Sequence, residues 1–191
     1  QAVALAQRAF QRGAEVTLIA AHLEVPPPAG ATFVSVSSAA EMHSAVMSHS
    51  PDFDIVIMAA AVSDYRMESV SGSKLKKADN GGELHLTLVE NPDILKELAS
   101  TKQTEQLIVG FAAETATEDE LIRIGQDKLA RKGCDLLIIN QVGWEQGFGT
   151  ERNSVTVLAA GGDILNTATG SKLSVADTIL DCIATSPFQN A

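Results

Sequence analysis

FDIVIMAAAVSDYRMESVSGSKLKK, residues Phe53 to Lys77, changes character twice, and those changes set the architecture. Phe53 to Ala60 is apolar almost throughout, as a central strand buried on both faces of a parallel sheet must be. It stops on Ala59, Ala60 and Ala61, turns at Ser63-Asp64-Tyr65 and opens into a loop of small residues. That loop, residues 62–80, carries Lys74, Lys76 and Lys77. Small residues at a strand's carboxyl end let a ligand approach the backbone, and open α/β sheets bind ligands there. The lysine cluster adds positive charge to an otherwise acidic chain. Together these features predict a nucleotide or phosphate site covered by a mobile lysine flap.

Working outward, Gln1 to Gln11 reads as a helix with apolar positions at Val3, Leu5, Ala6 and Phe10, stopped by Gly13. Glu15 to Ala20 is a strand. A helix running straight into a strand is half of a βαβ unit, so residues upstream of Gln1, a strand and a turn, are expected. Pro26, Pro27 and Pro28 lead to a short strand at Thr32 to Val36, then a helix over Ala39 to His49. Beyond the flap, Asn80-Gly81-Gly82 signals a turn, and Leu84, Leu86 and Leu88 alternate with His85 and Thr87 in a half-exposed strand, Glu83 to Val89. Asn91-Pro92-Asp93 opens a helix through Ala99, with Asn91 as its cap and Pro92 in its first turn.

Leu107 to Ala113 is another buried strand. The helix over Thr117 to Lys132 is acidic at its start and basic at its end, as its dipole favours, and Gly133 ends it. Leu136 to Asn140 is a strand, Val155 to Ala159 and Ile164 to Leu165 form a hairpin about Gly161-Gly162, and Lys172 to Thr185 is the last helix. Alternating strands and helices give a doubly wound α/β sheet covered on both faces. The reading is one domain over 1–191, without repeats or an internal linker.

Composition narrows the function classes. The 191 residues are 45% apolar and 20% charged, with net charge −10. Duplex nucleic acid needs a basic surface, which this chain lacks. A nucleotide does not, because one local lysine cluster holds phosphates. Cys134 and Cys182 have no metal-type spacing and read as buried reduced thiols of a cytosolic protein, with a disulfide as the alternative that nothing in the sequence supports. No apolar run reaches membrane-spanning length, and no signal peptide is visible.

Each motif also has a plainer account. The Ala59–Asp64 turn is a tight strand-to-loop turn with Asp64 exposed. The three lysines are a solvated charged loop. Asn91-Pro92-Asp93 is a helix cap, although a helix N-terminus is also an anion site. Gly110 inside a strand points to a close backbone approach or a bulge, and Phe111 to core. The chain has no GxxxxGK[ST] or GxGxxG loop, no GxSxG elbow and no clustered histidines.

Six stretches, in order and at matching spacing, resemble phosphopantothenoylcysteine synthetase, the ligase domain of coenzyme A biosynthesis. They are AAAVSDYR (Ala59 to Arg66), KLKK (Lys74 to Lys77), VENPDIL (Val89 to Leu95), VGFAAET (Val109 to Thr115), KLARKGCDLLIIN (Lys128 to Asn140) and GFGTERN (Gly147 to Asn153). The resemblance implies a Rossmann-like, three-layer, mostly parallel sheet with a hairpin and a mobile lysine flap. It implies that the carboxylate of 4′-phosphopantothenate attacks the α-phosphate of CTP, pyrophosphate leaves and an acyl-cytidylate forms. The amine of L-cysteine then displaces CMP. Mg2+ accompanies the triphosphate.

The same resemblance implies the site. Met58, Ala59 and Ala60 would line the nucleotide pocket through the backbone. Asp64 would meet the ribose, or the triphosphate and its metal. Lys74 would stabilise phosphate charge as the catalytic lysine of the flap, supported by Lys76 and Lys77. Pro92, Asp93, Ile94 and Leu95 would present backbone groups to the nucleotide, and Phe111, Lys128 and Lys132 would add contacts. A cytoplasmic homodimer is implied, and in many bacteria fusion to an upstream decarboxylase domain. Two departures stand out: Ser63 replaces a more usual alanine, and the family's upstream strand, asparagine and Ser-Ser-Gly-Lys turn precede Gln1. Two rivals are a nicotinamide-dependent oxidoreductase, disfavoured by the lack of a Tyr–Lys pair, and a non-catalytic nucleotide-binding module.

Overall fold

The computed structural model describes residues 1–74, 83–142 and 152–186. α1 (Ala2–Gln11) turns through Gly13, at φ +91°, into β1 (Thr17–Ala20), which pairs in parallel with β2 (Thr32–Ser35). α2 (Ala39–His49) begins at Ser38, whose side chain accepts from the Glu41 N–H, and leads through a 3-10 turn (Ser50–Asp52) to β3 (Ile55–Met58). Next come a ribbon, β4 (Tyr65–Met67) and β5 (Leu88–Glu90), then α3 (Ile94–Thr101), β6 (Leu107–Glu114), α4 (Glu118–Lys132) and β7 (Leu136–Gln141). β8 (Arg152–Ala159), β9 (Ile164–Ser171) and α5 (Lys172–Ala184) complete the order.

The main sheet runs β3-β6-β7-β8-β9. β3, β6 and β7 are parallel, and β8 and β9 join antiparallel. Successive side chains of a strand point to opposite faces, so the run Leu107, Ile108, Val109, each at most 2% exposed, feeds two cores. On one face Val109, Ile138 and Val157 meet Leu5 of α1 and Ile179 of α5. On the other, Ile108 and Ile139 meet Met42 of α2, Leu98 of α3, and Leu121 and Leu129 of α4. The three-layer α/β arrangement is thus as expected, with helices on both faces.

Several expectations need correction. β3 is parallel but not central: among the described strands it is an edge, bonded to β6 alone, and Ile55 to Met58 are only half-buried. β1 and β2 form their own small sheet instead of flanking it. Tyr65 ends no turn; it starts β4, which pairs antiparallel with β5. The strand expected over Glu83 to Val89 shrinks to three residues, Leu88–Glu90, because among the described residues no sheet lies beneath its apolar face. Leu84, Leu86 and Leu88 are 53–56% exposed. The hairpin strands run well past their apolar centres, and Ser154 and Thr169 hydrogen-bond across them at 2.8 Å. Its turn places Gly162 at φ +86°.

The amino ends of the parallel strands are pinned by buried polar side chains. Gln106 Nε2 donates to the carbonyls of Ser50 and Phe53, both at 2.6 Å. Asp135, 5% exposed, accepts from the Ile108 N–H at 2.8 Å and pairs with Lys102.

Candidate active site

A cleft of about 550 Å³ opens at the carboxyl ends of β3 and β6, on the side of α3 and α4. Its floor depends on two glycines. A Cβ at Gly110 would lie 2.7 Å from Leu95 Cδ2 and 3.3 Å from Cys134 Sγ, so the missing side chain lets α3 settle against β6. That is the close approach expected from a glycine inside a strand. A Cβ at Gly125 would lie 2.2 Å from Ile139 Cδ1, so a mid-helix glycine seats α4 equally close to the sheet. Burial pushes the Cys134 thiol under this floor up to about 11, and it stays protonated at neutral pH.

Asn91 fixes the mouth. Its N–H donates to the Asp64 carbonyl at 2.7 Å and its Nδ2 to the Ser63 carbonyl at 2.8 Å. Arg66 reaches the Glu90 carbonyl at 2.6 Å and Asn91 Oδ1 at 3.3 Å. Asn91 is therefore a staple between the Ser63–Asp64 turn and the start of α3, not the helix cap expected. The cap is Asp93, whose carboxylate accepts from the Lys96 N–H at 3.2 Å. Asn91 and Arg66 were missed as site-building residues; the only sequence signal was an Asn-Pro pair already explained as a cap.

Two lysines of α4 reach the cleft from positions one turn apart. A capping box, in which Glu120 accepts from both the N–H and the hydroxyl of Thr117, starts this helix. Gly133, at φ +72°, ends it just after Lys132. Lys132 pairs with Asp93 and Lys128 with Glu114. Burial pushes the Asp93 carboxyl up, but the bonds from Lys132 and the Lys96 N–H, with the charge of both lysines, hold it below the ordinary aspartate value.

Of the fourteen site residues named from sequence, ten line this cleft. Met58 and Ala60 come from the end of β3, and Asp64 from the turn. Pro92, Asp93, Ile94 and Leu95 come from the start of α3, with Phe111 on β6 and Lys128 and Lys132 on α4. Phe111 also packs against the core beneath α1 and α5. Ala59 is half-buried and does not line the cleft. Lys74 is exposed, outside the lining, just after a turn in which Ser71 Oγ donates to the Ser73 carbonyl. Lys76 and Lys77 lie outside the described residues.

The lining presents three carboxylates, Asp64, Glu90 and Asp93, against two ammonium groups. Among the described residues no group of three or more His, Cys, Asp or Glu side chains could hold a metal. Asp64 offers a single exposed carboxylate. That suits a magnesium ion carried mainly by phosphates, which needs only one or two protein carboxylates. No helix among the described residues is long and apolar enough to cross a membrane.

The family described as the DNA/pantothenate metabolism flavoprotein C-terminal domain matches residues 1–186. A coenzyme A biosynthesis bifunctional protein CoaBC from Mycobacterium bovis is 41% identical over 192 residues, covering 97% of this chain but 46% of that protein. The chain thus spans about half the length of this relative. The crystal structure of the C-terminal domain of a CoaBC protein superposes with TM-score 0.74 at 33% identity, covering 95% of this chain and 81% of that one. A Cab2 mutant in complex with phosphopantothenate-cysteine shares the fold, with TM-score 0.59 at 19% identity, over 80% of this chain and 52% of that one. The six-stretch resemblance is borne out: the chain belongs to the DNA/pantothenate metabolism flavoprotein C-terminal domain family.

Proposed function

We propose that this chain is a phosphopantothenate–cysteine ligase domain using CTP, and that the cleft above β3 and β6 holds the nucleotide. The observation that carries this reading is the convergence of ten residues, separated by up to 74 positions in sequence, on one cleft at the sheet's carboxyl end. The 4′-phosphopantothenate carboxylate attacks the α-phosphate, pyrophosphate departs and an acyl-cytidylate remains. The amine of L-cysteine then attacks the acyl carbon and CMP leaves. The nucleophiles belong to the substrates, so the protein's task is positioning and charge stabilisation.

The cleft's charge balance indicates where that stabilisation must come from. Among the described residues the lining carries three carboxylates against two lysines, so a triphosphate there would need further countercharge. Asp64 would help hold a Mg2+ that arrives with the phosphates, and the lysines that begin at Lys74 would add further countercharge. Lys128 and Lys132 meet the nucleotide from α4, and Pro92 to Leu95 offer it backbone groups. Mg2+ would neutralise phosphate charge when bound.

We place the domain in the cytoplasm, in keeping with two buried free cysteines in opposite cores. We also assign a homodimer, in keeping with the exposed apolar row of Leu84, Leu86 and Leu88 beside the ribbon. Fusion to a second catalytic domain agrees with the bifunctional name of the relatives. The test is pyrophosphate release with 4′-phosphopantothenate, Mg2+ and either CTP or ATP, with and without cysteine. It is run on this chain alone and within a full-length chain of its relatives' length. CTP-dependent release that requires phosphopantothenate and turns over only with cysteine is expected. No release from the folded full-length chain would reject the ligase reading.

A further inference from the structure

Lys128 and Lys132 sit one turn apart on α4, yet their carboxylate partners occupy different places. Asp93 lines the cleft itself and also caps α3. Glu114 does not line the cleft; it pairs with Lys128 from the last position of β6. The Glu114 backbone is fixed there, because its carbonyl accepts from the Val142 N–H at 2.9 Å as β7 ends alongside. Its side chain is 20% exposed, against 30% for Lys128, so the pair is half-buried.

We propose that Glu114 is a positioning residue of the ligase: by pairing with the cleft-lining Lys128 ammonium from a position outside the lining, it sets the affinity of that wall for CTP. This inference rests on the nucleotide reading of the cleft. A free lysine carries about 2 kcal/mol of rotamer entropy that binding must remove. A tether that restricts the ammonium removes part of that cost in advance. Asp93 cannot act in the same way, because it occupies cleft surface and must share Lys132 with an incoming anion. Glu114 never competes for ligand space.

The test compares Glu114→Gln, Lys128→Met and the double variant in the full-length protein by KM for CTP, kcat and melting temperature. Glu114→Gln is expected to raise KM about tenfold, the scale of one charge-assisted hydrogen bond, with a smaller fall in kcat. The double variant is expected to be no worse than Lys128→Met alone. Glu114→Asp, which keeps the charge but shortens the reach, is expected to lie between wild type and Glu114→Gln, and it serves if the glutamine variant does not fold. An unchanged or lowered KM, or effects of the two substitutions that simply add, would overturn the positioning role while leaving the ligase reading intact. Wild-type protein without CTP-dependent pyrophosphate release would overturn both.

Discussion

The two ends of the parallel sheet use the same kinds of residue for opposite ends. At the amino end, Asp135 and Lys102 pair beside a backbone N–H, and the carboxylate is buried to 6% exposure. At the carboxyl end, Asp93 and Lys132 pair at 40% and 26% exposure on the wall of a 550 Å³ cleft. The first pair is enclosed by β6 and β7, so its carboxylate cannot exchange partners without leaving a buried donor unmet. The second faces a space that an anion can enter, and its lysine can move from carboxylate to ligand at little cost. A lysine–aspartate pair is structural or functional according to what else can reach it.

This contrast is open to direct attack. Asp135→Ala leaves the Ile108 N–H buried without its acceptor and strips Lys102 of a charged partner. A loss of about 3 kcal/mol is expected, read as a fall in melting temperature of roughly 10 °C. A loss below about 1 kcal/mol would show that the amino end is not held this way.

The smallest effect belongs to acid. Because the folded Asp93 carboxyl titrates below its unfolded value of about 3.9, its pair contributes stability above that pH. The contribution fades as pH falls through the depressed folded value. Comparing wild type with Asp93→Asn, which keeps a capping side chain, the stability gap at pH 7 should be within the ~0–1 kcal/mol of an exposed pair and should close as pH falls through the depressed folded value. A gap that persists unchanged into acid would mean that Asp93 acts by its shape alone.

The parts of the molecule legible in sequence are those where local pattern and tertiary demand coincide. The two-faced burial of β6 was visible as an unbroken apolar run, and Gly110 as a strand glycine that needs room. The helix that carries Lys128 and Lys132 was visible as a segment acidic at its start and basic at its end, and the family resemblance singled out the two lysines. The alternation of Leu84, Leu86 and Leu88 misled, because period-two patterning describes a strand with a sheet beneath it, and among the described residues there is none here. The hairpin strands were underestimated because Asn166, Thr167 and Thr169 look like loop until cross-strand pairing claims them.

The least legible features join distant residues. Nothing near Glu114 announces Lys128, and the need for Gly125 appears only once α4 is seated on Ile139. Asn91 and Asp93 are both good caps, and the choice was made by Ser63 and Asp64, which claim Asn91 for the turn.

The most direct measurement is equilibrium binding of CTP with Mg2+ to wild type and to Lys132→Met, each with its melting curve. If the carboxyl-end cleft is the nucleotide site, affinity falls about tenfold or more, as expected for losing one charged contact, while the melting temperature changes little. Unchanged affinity in a variant that melts like wild type would contradict the assignment of this cleft to the nucleotide.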